Sequence, residues 1–382
     1  MDEKTEKHSF DELICSLETA KLHPEDTAWN IYHYLKDFIG KDSSANMRTL
    51  LLSYLKIPVE RPSLIHSCIL SMALKMQEAY ADFRFPQFLE YWGYGKMLRS
   101  EDMQRQRGKD GKEYLSLKER VDRRLESWLL HHPNDVELIN KLLKGATDKI
   151  KTAYATKVFE KENGGKKRRF VKLVCADGQE LIADSHQFPC KPWEIQCRLF
   201  DLLIQVSKEG NTRASEVVGS QKRLQDVFPQ SIGYIDGIDE GHGHYHVFDS
   251  LSRHFVAEKP PMPIKHGDFV VFAPIIPAKD KFKSAAVIKT LGREEGLSLF
   301  GTYTASITFL NIADGYLRYK ITSPIDKTPE GEITPEGFAS LVNMAEGSDP
   351  KRLAVGDTVN LLLYLRRNKE GKKTNHVAQI II

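Results

Sequence analysis

The sequence predicts an α+β multidomain protein, an N-terminal all-α bundle or solenoid followed by three small β-barrels. Three observations carry that expectation. Apolar residues recur at helical spacing through the first 150 residues, and past residue 155 they give way to short β-branched runs broken by Gly, Asp, Asn and Pro. The segments CRLFDLLIQVSKEGNTRASEVV, GDFVVFAPIIPAKDKFKSAAVIKT and GDTVNLLLYLRRNKEGKKTNHVAQIII then share one plan: a long apolar strand, a basic turn and a short strand around an alanine. The expected domains are 1–150 (helical), 151–230, 231–295 and 296–382.

In the helical part, Ile31, Leu35, Phe38 and Ile39 form one stripe that ends at Gly40, a residue suited to a helix C-terminus. Ile65, Ile69, Met72 and Met76 form another behind Pro62, and Leu117, Val121, Leu125, Trp128 and Leu129 a third. A fourth stripe, Val136, Ile139, Leu143, Ala146 and Ile150, follows HHPND, with Asn134 or Asp135 placed to cap it. The last two stripes read as a helical hairpin. Short links between helices resemble tetratricopeptide arrays in shape, although no fixed repeat period is present, and such a resemblance implies a protein partner docked on the helices.

Each strand-rich segment also has an opening of two strands about a turn. These are TAYATKVFEKENGGKKRRFVKLV, GYIDGIDEGHGHYHVF and GTYTASITFLNIADGYLRYKI. Two opening strands, a short third and the closing pair make a small five-stranded barrel in each case.

A chain of 382 residues with 41% hydrophobic and 28% charged residues is expected to be folded and soluble, in several domains. The charged start MDEKTEKHSF lacks the apolar core of a secretory signal, and no run approaches the length of a membrane span. The five cysteines are odd in number and scattered, which argues against a disulfide framework, so a cytoplasmic protein with reduced thiols and no membrane contact is the expectation. The net charge of +3 is unevenly spread: residues 151–230 hold 14 Lys and Arg against 10 Asp and Glu, with KKRR at Lys166 to Arg169. No phosphate-cradling GxxxxGK[ST], GxSxG elbow or HExxH occurs, so no enzymatic activity and no cofactor are expected.

The second strand segment resembles the cold-shock domain, a five-stranded barrel of the oligonucleotide-binding (OB) class. Counting from Gly233, HGHYH at His242 to His246 falls where that family carries its glycine-rich first ribonucleoprotein motif. His244 and His246 stand at the family's two stacking aromatic positions. HFV at His254 to Val256 is similar to its second motif, which adds His254 and Phe255 to the candidates, and GDFVVF with KSAAVI is similar to its closing strands. The resemblance implies binding of single-stranded nucleic acid, RNA before DNA. The other two segments match it more loosely.

Strand alternation places His242, His244 and His246 on one face and Tyr245 and Val247 on the other. With Val247 inside, the histidines look outward. The same phase sends Arg168, Phe170 and Lys172 outward in the first segment and Tyr316, Arg318 and Lys320 in the third. All three faces then mix cations with flat rings, as stacking on bases and neutralising phosphates requires. A solvated sheet face would also carry such residues, and a protein-interaction adapter is the alternative function. A metal on His242, His244 and His246 would need a further ligand from His254 or Asp249, so none is expected and metal-dependent hydrolysis is the remote alternative. HQFPCKPWEIQC, with His186, Cys190 and Cys197, lacks zinc-site spacing.

Overall fold

The computed structural model describes residues 10–18, 23–163, 166–206, 212–249, 253–258, 262–279, 283–292, 295–296, 300–325, 327–328, 331–345, 347–367 and 373–382. The chain divides into two compact units, Met1–Lys151 with Leu202–Gln205, and Thr152–Asp201 with Val206–Ile382. The basic turns at 207–211, 280–282 and 368–372, which join the last two strands of each repeat, lie outside the described residues.

The first unit carries α1 (Phe10–Glu18), α2 (Pro24–Phe38), α3 (Ser44–Tyr54), α4 (Leu64–Ala79), α5 (Phe85–Trp92), α6 (Leu117–His131) and α7 (Val136–Leu142). Their apolar stripes meet in one core that includes Ile31, Leu35, Ile65, Ile69, Met76, Val121 and Leu125. Helix α2 ends just before Gly40, whose φ of 81° suits a glycine. Helix α6 starts in a capping box, in which the Glu119 N–H donates to Ser116 Oγ and the Ser116 N–H donates to Glu119 Oε2. Helix α7 is shorter than its stripe suggests. It stops at Leu142, Gly145 turns the chain at φ 74°, and Ile150 already opens a strand. Asp135 makes no side-chain cap and instead accepts from Trp128 Nε1 at 2.7 Å. Among the described residues no helix is long and apolar enough to cross a membrane.

Apart from two short pairs, Gln106–Arg107 with Glu113–Tyr114 and Lys327–Thr328 with Gly331–Glu332, the strands among the described residues fall into three sets of five. The first is β1 (Ile150–Asn163), β2 (Lys166–Cys175), β3 (Glu180–Asp184), β4 (Leu199–Val206) and β5 (Thr212–Gly219). The second is β6 (Ser231–Asp239), β7 (His244–Asp249), β8 (His254–Glu258), β9 (Phe269–Ile275) and β10 (Ser284–Leu291). The third is β11 (Gly301–Asn311), β12 (Tyr316–Ile321), β13 (Glu336–Ser340), β14 (Thr358–Arg367) and β15 (Lys373–Ile381). Counted within a set, every sheet has the strand order third, second, first, fourth, fifth. In the second set β8 also pairs with β10 in parallel, which closes the barrel.

The three sheets share one irregularity. A bulge interrupts the pairing of the first two strands between Ala155 and Lys157, between Ile235 and Gly237, and between Ile307 and Phe309. This common landmark makes Lys172, His246 and Arg318 equivalent, as it does Phe170, His244 and Tyr316. Val174, Phe248 and Lys320 are equivalent in turn.

Inside the closed barrel, Ile235, Val247, Phe255, Val270 and Phe272 pack together. Gly233 is needed there, because a Cβ would lie 2.5 Å from Val247 and 2.8 Å from Phe272. Neighbouring sheets are joined by their outer faces. Tyr234 and Phe248 pack on Leu362, Tyr364 and Ala378 of the third set, with Phe269 and Phe300 in the same cluster. Tyr234 Oη donates to the Ala378 carbonyl, and His376 Nε2 lies 2.7 Å from Asp236 Oδ1 at the same joint. Tyr154 and Val174 pack likewise on Ala273, Ile275 and Ala286 of the second set. By the bulge register Tyr154 corresponds to Tyr234 and Val174 to Phe248, so the two joints use equivalent rows. In the third sheet that row is Ser306, Lys320 and Glu336, and the two charged side chains are exposed.

Two stability predictions follow from these packings. Phe272→Ala should cost about 3–5 kcal/mol in denaturant unfolding, because the ring is fully buried. His66 is buried against Tyr54 and Trp92, its Nε2 has no hydrogen-bond partner among the described residues, and burial followed by the Arg61 charge lowers its pKa. Its ring stays neutral in the fold but takes a proton in the unfolded chain. Stability should therefore hold above about pH 6.5 and fall below it by up to about 1.4 kcal/mol per pH unit until the folded-state ring is protonated as well. Urea midpoints taken from pH 7.5 to 5.5, with His66→Gln as the control that flattens the trend, check this.

Candidate nucleic-acid interface

Along the second strand of each set, alternate side chains enter the sheet core. Val171 and Leu173, Tyr245 and Val247, and Leu317, Tyr319 and Ile321 are buried. Arg168, Phe170 and Lys172, His244 and His246, and Tyr316, Arg318 and Lys320 therefore lie on the outer faces. The three faces differ in what the joints leave open.

On the third sheet the row at the bulge runs Phe309, Arg318, Phe338 across β11, β12 and β13. Phe309 is 43% and Phe338 73% exposed. The Arg318 guanidinium carbon lies 5.9 Å from the centroid of the Phe309 ring, and Tyr316 sits beside that ring at 5.8 Å with an interplanar angle of 31°. Lys320 and Glu336 form an exposed pair at 3.3 Å, a geometry that holds little energy in water. Flat rings flanking a guanidinium, open to solvent, can stack on bases while the cation meets phosphate.

On the second sheet the equivalent row is Gly237, His246, Val256. Gly237 leaves room for the His246 ring, whose nearest carbon would be 3.3 Å from a Cβ there. His246 Nδ1 faces His254 Nε2 at 2.9 Å, and the His254 ring stacks on Phe248 at 4.8 Å and 17°. His244 Nε2 meets Glu258 at 3.2 Å. His242 is not on the strand. It lies in the turn before β7, 2.9 Å from Asp239, and this contact holds the Asp239 carboxyl below its usual range. The imidazoles on this face thus have acidic or imidazole partners.

On the first sheet, Lys172 Nζ contacts Glu180 at 2.7 Å, and Phe170 lies against Phe159 with ring centroids 6.1 Å apart. Arg168 is exposed on the same face.

No family model matches the chain. No curated protein matches it. Nineteen chains of solved structures are similar to it, among them one described as "drosophila Unr CSD456". That chain is 11% identical, the similarity covers 60% of this chain and 95% of that one, and the TM-score is 0.19. A TM-score of that size does not establish a common fold.

The structure corrects two residues of the sequence reading: His242, which lies in the turn before β7 rather than on the strand, and Phe255. Phe255 pairs with Val247 on the inward side of β8, is fully buried and packs on Phe272 at 5.1 Å, so its ring is core and cannot stack on a base. His254, one residue earlier, is exposed instead. Two residues are added. Tyr303, Ala305 and Ile307 alternate inward along β11, and unbroken alternation would send Phe309 inward as well, but the bulge at Thr308 turns it out. Phe338 lies on the short strand Glu336–Ser340, just behind Thr334 and Pro335, where no apolar run advertises a strand.

Among the described residues no group of three or more His, Cys, Asp or Glu side chains could hold a metal ion. The pairing of His244 with Glu258 and of His246 with His254 spends these groups on contacts within the sheet. Dialysis against EDTA should accordingly leave the melting temperature within about 1 °C of the untreated protein, as scanning calorimetry would show.

Proposed function

We propose that the chain is a non-catalytic single-stranded nucleic-acid-binding protein whose three sheets are OB-like barrels in tandem, and that the outer face of the third is its principal site. The common strand order, the closure of the second sheet and the shared bulge support the barrel reading. The observation that carries the function is the open row of Phe309, Arg318 and Phe338 with Tyr316 beside it. Two exposed phenylalanines on one sheet face have little to gain from water, and each ring offers roughly 1–3 kcal/mol to a stacked base. The equivalent row of the second sheet has glycine and valine in place of the two rings, and that of the first has Lys157 and Ile182. Stacking therefore concentrates on one sheet of the three.

Anisotropy titrations with fluorescent single-stranded RNA and DNA test this. Phe309→Ala and Phe338→Ala should each weaken binding about 5- to 100-fold with the salt slope nearly unchanged. Arg318→Gln should lower the slope by about 0.7 for the one phosphate contact removed. The side chains are exposed, so melting temperatures should stay put. If all three variants bind as the parent does, the third sheet is not the site and the adapter reading replaces this one.

A further inference from the structure

The first two strands of the first sheet are longer than their counterparts. Measured from the residue after the bulge, β6 ends two residues on, at Asp239, and β11 ends two residues on, at Asn311, whereas β1 continues six residues to Asn163. Its partner β2 matches it out to Lys166. Four extra residues on each strand make a two-stranded ribbon that runs about 13 Å past the reach of the other two hairpins.

Charge on this ribbon is sorted by face. Directly paired residues share a face, so Lys157 with Lys172, Phe159 with Phe170, and Lys161 with Arg168 lie on one side. Val158 with Val171, Glu160 with Arg169, and Glu162 with Lys167 lie on the other. The second side neutralises itself: Arg169 Nε is 2.8 Å from Glu160, whose carboxyl is held below its ordinary range by that guanidinium first and by Lys167 as well. The first side carries the cations Lys157, Lys161, Arg168 and Lys172 with no acid among these paired residues, and Lys172 meets a carboxylate, Glu180 of β3. Lys157, Lys161 and Arg168 are exposed. Phe159 and Phe170 are half-buried against each other, so what the face presents outward is ammonium and guanidinium rather than free rings.

Cations without open rings suit phosphate contacts, which carry no sequence information, rather than stacking on bases. Among nucleic acids the duplex is the denser target, with one charge per about 1.7 Å of axis, and a two-stranded ribbon is narrow enough to lie along its backbone. We propose that this ribbon is a second site, which holds the phosphate backbone of double-stranded nucleic acid without regard to sequence. It stands on the ribbon's own geometry, separately from stacking on the third sheet.

The test uses the full chain with the triple variant Lys157→Gln, Lys161→Gln, Arg168→Gln beside the double variant Phe309→Ala, Phe338→Ala. Each is titrated with 20-base-pair duplexes of RNA and of DNA in unrelated sequences, with a single-stranded homopolymer, and with vesicles of anionic lipid. The triple variant should lose at least tenfold in duplex affinity, its salt slope should fall by about 2 to 3, and its single-strand affinity should stay within twofold. The double variant should show the converse. Duplex binding that survives the triple change overturns the proposal, and so does an equal loss on the single strand, which would make the ribbon part of the stacking path. Loss confined to vesicle binding overturns it in favour of a lipid surface. A double variant that keeps its single-strand affinity sinks the third-sheet site and leaves the ribbon standing.

Discussion

The joint between neighbouring sheets governs the rest of the strand half. Tyr234 and Phe248 are buried under Leu362, Tyr364 and Ala378, and Tyr154 and Val174 under Ala273, Ile275 and Ala286. Burying an aromatic ring this completely contributes roughly 2–3 kcal/mol, and each joint assembles several apolar side chains in one place. Each joint covers one row of an outer face, and on the second sheet that row holds Phe248. Only the third sheet keeps both rings of its open row.

Much of this was legible in the sequence. The helical stripes at Leu117 to Leu129 and at Ile65 to Met76 became α6 and α4, and the phase of β2, β7 and β12 followed from which alternate residues were apolar. The alanine repeated in the closing strands had a meaning that periodicity could not give. Ala286 and Ala378 are the small residues on which a neighbouring sheet's tyrosine lies. Pattern shows that a residue is apolar without showing whether its own core or a neighbour's covers it.

A bulge adds one residue, reverses the alternation beyond it and leaves no mark in composition, so Phe309 was read as nothing in particular. At Phe255 the motif resemblance and the strand phase point to opposite faces, and the phase, which sets it opposite Val247, prevails. The stripe carried on to Ile150 failed because Leu143 and Ala146 keep helical spacing across a turn that Gly145 makes. At Phe309 and beyond Leu142 a local backbone event outweighed a side-chain pattern that was itself sound.

In the third sheet the row that makes the joints elsewhere is polar: Ser306, Lys320 and Glu336. A joint of this kind is head-to-tail: one sheet's first strands meet the next sheet's last strands, and nothing in that geometry limits the number of members. A tyrosine and a phenylalanine in place of Ser306 and Lys320 would offer the third sheet's face to the closing strands of another molecule, and contacts that never close grow into filaments. Lys320 and Glu336 are exposed there instead. Two exposed charges thereby stop a surface that has already been used twice from being used without limit.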